Sequence, residues 1–109
     1  MVSVPHRDEV WLIRLDPSLG AEIKKTRPCL VVSPDEMNEP LQTVLIAPLT
    51  TTLRNYPTRV TVRFRGKTGQ IALDQIRAVG RDRLLRRLGT IPNQSAHEVS
   101  NDLLEMFAR

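Results

Sequence analysis

A single cysteine, Cys29, among 109 residues excludes an internal disulfide framework and fits a reducing compartment. Its place in the apolar run Cys29-Leu30-Val31-Val32 points to a buried structural thiol rather than a nucleophile. Aromatics are scarce too, four in all. Trp11, Phe64 and Phe107 can contribute to a core, while Tyr56 falls in a predicted loop, so aliphatic side chains must do most of the packing. The longest apolar run, Val44 to Leu49, is far too short to span a bilayer, and the first seven residues are not followed by a signal-peptide stretch. A cytoplasmic protein is the expectation. No Cys/His cluster has metal-ligand spacing, and neither a Walker-type nor a dinucleotide-binding glycine motif occurs. The sequence predicts no metal and no cofactor.

Basic charge is plentiful but uneven. The net charge is +4, yet ten basic residues against two acids lie between Arg54 and Arg87, which leaves the remainder of the chain net acidic. Nine of the ten are arginine, whose forked guanidinium suits phosphate better than lysine's point charge does. Such asymmetry favours a polyanionic partner, nucleic acid being the commonest; a solvated basic surface with no partner is the bland alternative.

The length predicts one domain over residues 1–109. Val10 to Leu15 reads as a strand stopped by Asp16-Pro17, and Asp16 to Lys25 as a long, flap-like loop. Pro28 forces Arg27 into extended geometry ahead of a second strand, Cys29 to Ser33. Thr43 to Leu49 is a third strand, in which Pro48 suggests an edge position or a bulge. After a loop from Thr51 to Pro57, Thr58 to Phe64 alternates, with Val60, Val62 and Phe64 on one face and Arg59, Thr61 and Arg63 on the other. Arg65 to Gly69 makes a hairpin-like connection to a strand from Gln70 to Leu73, which Gln75 to Val79 extends. Arg81 to Leu88 reads as a short helix stopped by Gly89, with Leu84, Leu85 and Leu88 inward. Ser95 to Glu98 has capping-box spacing, and Ala96, Val99, Leu103 and Met106/Phe107 then repeat at helical intervals. Short strands followed by one amphipathic helix predict a mainly β fold, a small barrel of strongly bent antiparallel strands with a C-terminal helix.

Three of these runs carry a polar group suited to a phosphodiester at one end: Thr26-Arg27-Pro28 before the second strand, Thr50 after the third, and Asp74-Gln75 after Ile71-Ala72-Leu73. With Glu9-Val10-Trp11-Leu12, Leu15-Asp16-Pro17 and Gly20-Ala21-Glu22, their order resembles the MazF/PemK family of toxin endoribonucleases from about Glu9 to Gly89. The resemblance implies an SH3-like barrel, a two-fold dimer, an acidic MazE-like antitoxin as partner, and sequence-specific, metal-independent cleavage of single-stranded RNA. In that chemistry the RNA's own 2′-hydroxyl attacks the adjacent phosphate, giving a 2′,3′-cyclic phosphate and a 5′-hydroxyl.

Residue by residue, the resemblance makes Arg27 and Thr50 catalytic. An always-charged guanidinium and a neutral hydroxyl would stabilise the five-coordinate phosphorane. It adds Glu22 as a proton acceptor or flap-positioning group, and Asp74 as base or positioning group. Gln75, Lys24, Lys25, Thr51, Arg54 and Arg77 are the candidate RNA contacts. The bland alternatives are salt bridges, with Asp74 pairing most simply with Arg77. Ala21 and Ala72 stand where some relatives carry a polar group, so any contact made there must come from elsewhere. His6 and His97 fall outside the motifs, which argues against histidine-based chemistry. Two rival readings share the fold: a gyrase-poisoning toxin of the CcdB type, disfavoured because the chain ends Met106-Phe107-Ala108-Arg109 rather than Trp-Gly-Ile, and a non-catalytic barrel that binds nucleic acid or protein.

Overall fold

A computed structural model describes residues 3–16 and 25–109. Seven strands and a C-terminal helix make up most of it: β1 (Glu9–Asp16), β2 (Lys25–Val31), a one-turn helix α1 (Asp35–Asn38), β3 (Thr43–Thr50), β4 (Arg59–Phe64), β5 (Lys67–Ala72), β6 (Arg77–Gly80), β7 (Leu84–Thr90) and α2 (Asn93–Phe107). The strands form one antiparallel sheet in the order β4-β5-β3-β2-β1-β7, with β6 also pairing with β3. The sheet curls into an open barrel with a single long helix packed on it.

Two clusters of apolar side chains lie on opposite faces of β1–β3. On one face Val10, Leu30, Val32 and Ala47 pack with Val60, Val62, Ile71 and the Val99 side of α2. On the other, Trp11, Ile13, Cys29, Val31, Val44 and Ile46 pack with Val79 and Leu84. Burial on both faces explains why these strands read as unbroken apolar runs, whereas β4, buried on one face, alternates. Fully burying a Leu or Ile side chain stabilises by roughly 1.5–3 kcal/mol, so β1–β3 form a stiff platform for the groups they carry. Cys29 is fully buried, and that burial pushes its thiol up to about 12.

Several expectations need correction. The predicted helix at Arg81–Leu88 is a single 3-10 turn, Arg81–Arg83, followed by β7. The open edge of β1 supplies a backbone ladder from Glu9 to Ile13 that outweighs the local helical spacing, and Leu85 points out to solvent. Pro48 is neither at an edge nor in a bulge. It sits where β3 changes partner from β6, which ends opposite Ile46, to β5, which begins opposite Leu49, so a missing N–H costs little there. The second strand begins at Lys25, earlier than expected, which places Arg27 inside it rather than ahead of it. Gln75 to Val79 does not extend β5: a 3-10 turn at Leu73–Gln75 redirects the chain and β6 pairs with β3 instead. Helix α2 starts at Asn93 behind Pro92, which makes no side-chain cap, and Ser95 is buried in the first turn rather than capping it.

Helix α1 had no sequence signal. Its Asn38 is fully buried and donates to the carbonyls of Pro5 and Ser33, at 3.1 and 3.0 Å, while accepting from the Ser33 hydroxyl. The predicted flap, with Glu22 and Lys24, lies outside the described residues apart from its ends, Asp16 and Lys25, which belong to β1 and β2.

Candidate active site

The register between β2 and β3 sets the site. The ladder pairs Val31–Ile46, Leu30–Ala47 and Cys29–Pro48 and ends there, so the start of β2, with Arg27, runs toward the end of β3, with Thr50. Both side chains line one cleft of about 580 Å³ at the barrel mouth, together with Thr51, Thr52 and Pro28. A volume of that order accommodates a nucleotide.

Thr50 is oriented locally. Its hydroxyl oxygen accepts the Thr52 backbone N–H at 3.1 Å, so the hydroxyl proton remains for an acceptor in the cleft. Gly69 on β5 permits the close approach on the other side, because a Cβ there would lie 2.8 Å from the Thr50 carbonyl oxygen. Arg27, half-buried within β2, is flanked by β1 through its pairing with Ile13.

The opposite wall is more basic than the sequence reading anticipated. Arg65, Lys67 and Arg86 line it with Phe64, Leu12 and Leu88. Arg65 and Gly66 form the two-residue β4–β5 turn, both with positive φ (52° and 79°), as tight hairpins require. From that turn the Arg65 guanidinium reaches across to β7 and donates to the Leu88 carbonyl at 2.6 Å. Arg86 faces the cleft because it pairs with Leu12 of β1. These three cations were missed for want of a partner strand. Reading Arg65-Gly66 as a two-residue turn between alternating runs would have placed Lys67 opposite Phe64.

Other candidates lie elsewhere. Asp74 does not line the cleft and pairs with Arg59 rather than Arg77: Arg59 Nε is 2.7 Å from Oδ1, Nη2 is 3.3 Å from Oδ2, and Thr58 donates its hydroxyl to Oδ1 at 3.1 Å. The Arg59 hydrogen bond holds the Asp74 carboxyl below the usual range, against a smaller opposing effect of burial. Gln75 is exposed on the 3-10 turn and Arg77 is exposed on β6; neither lines the cleft, nor does Arg54. Of the candidates whose side chains are described, Arg27, Thr50 and Thr51 come together and Asp74, Gln75, Arg54 and Arg77 stand apart. Among the described residues, no three His, Cys, Asp or Glu side chains converge as metal ligands would.

The chain is thus a small curled antiparallel β-barrel protein with one C-terminal helix, its mouth lined by cations and hydroxyls that suit an anion. The sequence profile of the PemK-like, MazF-like toxins of type II toxin–antitoxin systems matches residues 6–107, and the chain belongs to that family. It is 30% identical over 96 residues to endoribonuclease MazF9 of Mycobacterium tuberculosis, covering 79% of this chain and 81% of that protein. The fold superposes on a MazE–MazF structure from Deinococcus radiodurans with a TM-score of 0.83, at 27% identity and 96% coverage of each chain. It superposes on a mycobacterial endoribonuclease in complex with its cognate antitoxin with a TM-score of 0.78, at 28% identity over 93% of this chain and 92% of that one. Among the described residues, no helix is long and apolar enough to cross a membrane.

Proposed function

We propose that this toxin is a cytoplasmic, sequence-specific endoribonuclease that cuts single-stranded RNA without a metal ion, the scissile phosphate lying between Arg27 and Thr50. The meeting of those two side chains from β2 and β3, in one cleft, carries the reading.

In the reaction the 2′-oxygen forms a bond to phosphorus while the bond to the 5′-oxygen breaks. The products are a 2′,3′-cyclic phosphate and a 5′-hydroxyl. Attack from within the substrate needs only in-line geometry, because nucleophile and phosphorus are already one molecule. Arg27 bridges two phosphate oxygens and balances the charge that accumulates on the phosphorane; Thr50 donates its free proton to a non-bridging oxygen. The 2′-hydroxyl proton passes to a carboxylate, and the departing 5′-oxygen takes up a proton from solvent water. Of the two candidate carboxylates, Asp74 is already engaged by Arg59 and Thr58 outside the cleft, which favours Glu22 of the flap. Arg65, Lys67 and Arg86 hold the phosphates on either side.

An unstacked single strand fits this geometry better than a duplex, in which stacking opposes the in-line arrangement. A cognate antitoxin with an acidic segment would compete for the same cations, in keeping with the antitoxin-bound relatives. The active form is a homodimer, so that RNA runs along the subunit interface.

The test is incubation with mixed-sequence single-stranded RNA in EDTA, beside Arg27→Ala, followed by analysis of fragment ends. Sequence-restricted cuts with cyclic-phosphate and 5′-hydroxyl ends, absent in the variant, are expected. RNA binding without cutting would instead support a barrel that only binds.

A further inference from the structure

The loop from Thr51 to Thr58 joins β3 to β4 and contains no helix or strand, yet it is pinned at several points. The buried Gln70 side chain acts as a surrogate peptide group: its Oε1 accepts the Arg54 N–H at 2.9 Å and its Nε2 donates to the Arg54 carbonyl at 3.1 Å. Farther along, the Arg59 N–H donates to the Tyr56 carbonyl at 3.1 Å. The Arg59 guanidinium lies over the Tyr56 ring, 5.2 Å from its centroid, and its Nη1 is 3.4 Å from the Thr52 carbonyl. Only 6% of the Arg59 side chain is exposed; it lies between Asp74, which it meets at both carboxylate oxygens, the Tyr56 ring and the Thr52 carbonyl.

All this order leaves an aromatic ring in the open. Tyr56 is 50% exposed and Leu53, on the same loop, is 54% exposed. An ordered, unpacked ring with a guanidinium behind it has lost little freedom still to lose on binding, and flat π-systems stack on such rings whatever their sequence. One guanidinium spans the gap between Thr52, on the cleft wall, and the Tyr56 ring. Tyr56 does not line the cleft, but this link sets its ring next to the cleft wall, where a base neighbouring the nucleotide in the cleft can reach it.

We propose that Tyr56 is a stacking site for an unpaired nucleobase of the bound RNA, with Arg59 and Asp74 as its positioning residues; this rests on the ribonucleolytic reading of the cleft. Asp74 in this arrangement touches no reacting atom. It holds Arg59, Arg59 holds the ring and the Thr52 carbonyl, and Gln70 holds the approach to both.

The test uses the full chain and a 2′-O-methyl, uncleavable copy of an RNA that it cuts, with fluorescence anisotropy as the binding readout. Tyr56→Ala weakens binding by about tenfold and Tyr56→Phe recovers it, as a stacking contact requires. An abasic nucleotide at one position flanking the cut weakens wild-type binding similarly, and that loss does not compound with Tyr56→Ala. Asp74→Asn and Arg59→Gln reproduce part of the Tyr56→Ala loss and raise KM while kcat at saturating RNA is retained. Tyr56→Ala binding as tightly as wild type overturns the proposal, as do losses from the variant and the abasic site that multiply at every position. Asp74→Asn losing kcat with KM unchanged makes Asp74 a catalytic group and overturns its positioning role. Wild type that neither binds nor cuts RNA removes the ribonuclease reading, and this one with it; wild type that cuts, with Tyr56→Ala binding unchanged, removes this one alone.

Discussion

The cleft and the loop behind it hold arginine in opposite ways. Behind the cleft, Arg59 is fastened to Asp74, and on β7 Arg87 donates to Glu9 at 2.8 Å. Arg81 is spent on the carbonyls of Asn38, Glu39 and Leu41. In the cleft, Arg27, Arg65, Lys67 and Arg86 form no ion pair among the described residues, although Arg65 gives one hydrogen bond to the Leu88 carbonyl. The neighbours on β7 make the contrast plain: Arg86 turns into the cleft and Arg87 turns to a carboxylate. An excess of basic residues along a chain is thus a poor guide to where an anion binds. A paired guanidinium has already met its anion and serves the fold; an unpaired one is still available to the ligand.

Four experiments break or sharpen that contrast. Arg27→Ala should lower the cleavage rate about a thousandfold, with thermal unfolding little changed, since it removes the main charge opposing the phosphorane. Cleavage at the wild-type rate would end the mechanism. Thr50→Val should cost roughly a hundredfold in kcat by deleting one hydrogen bond to the transition state; a change confined to KM would show that the hydroxyl only binds.

The adjacent arginines give the third. Arg86→Ala should weaken RNA binding and reduce the slope of log affinity against log salt by about 0.7, the share of one phosphate contact on a single strand. Arg87→Ala should leave that slope alone and lower stability by about 1 kcal/mol, since Arg87 is half exposed and the largely covered Glu9 keeps its hydrogen bonds from His6 and Trp11. Equal slopes for the two variants would erase the distinction drawn here. The smallest effect concerns acid. Asp74 is held below the ordinary aspartate range by Arg59, so the folded state binds its proton more weakly than the unfolded chain does. Its stabilisation is complete above the ordinary aspartate pKa and is lost as pH falls from there through the depressed value. Asp74→Asn should flatten that acid limb in a plot of Tm against pH, and an unchanged limb would mean that the ion pair contributes nothing to folding.

Much of the fold was legible because its signals are local. The alternation of Val60, Val62 and Phe64 marked a half-buried strand, the spacing of Ala96, Val99, Leu103 and Met106 marked α2, and Arg27-Pro28 marked extended chain. Legibility failed where a distant partner decided the outcome. Leu84, Leu85 and Leu88 suit a helix as well as a strand, and only the edge of β1 resolves them. Asp74 has Arg77 three residues away but pairs with Arg59, because the β4–β5 ladder sets Arg59 opposite Ala72, just before the turn that carries Asp74. The site divides in the same way. Arg27 and Thr50 were named from the sequence, whereas Arg65, Lys67 and Arg86 join them only when β4–β5 and β7 close on the barrel mouth.

By itself, the sequence determined that the first strands extend, that the C-terminal segment coils, and that a guanidinium and a hydroxyl are carried on apolar strands, since propensity and periodicity act over a few residues. Only the tertiary structure decided which cations face one another across the cleft and which are neutralised outside it. A charge interacts with whatever the folded chain sets beside it, and sequence distance does not enter Coulomb's law.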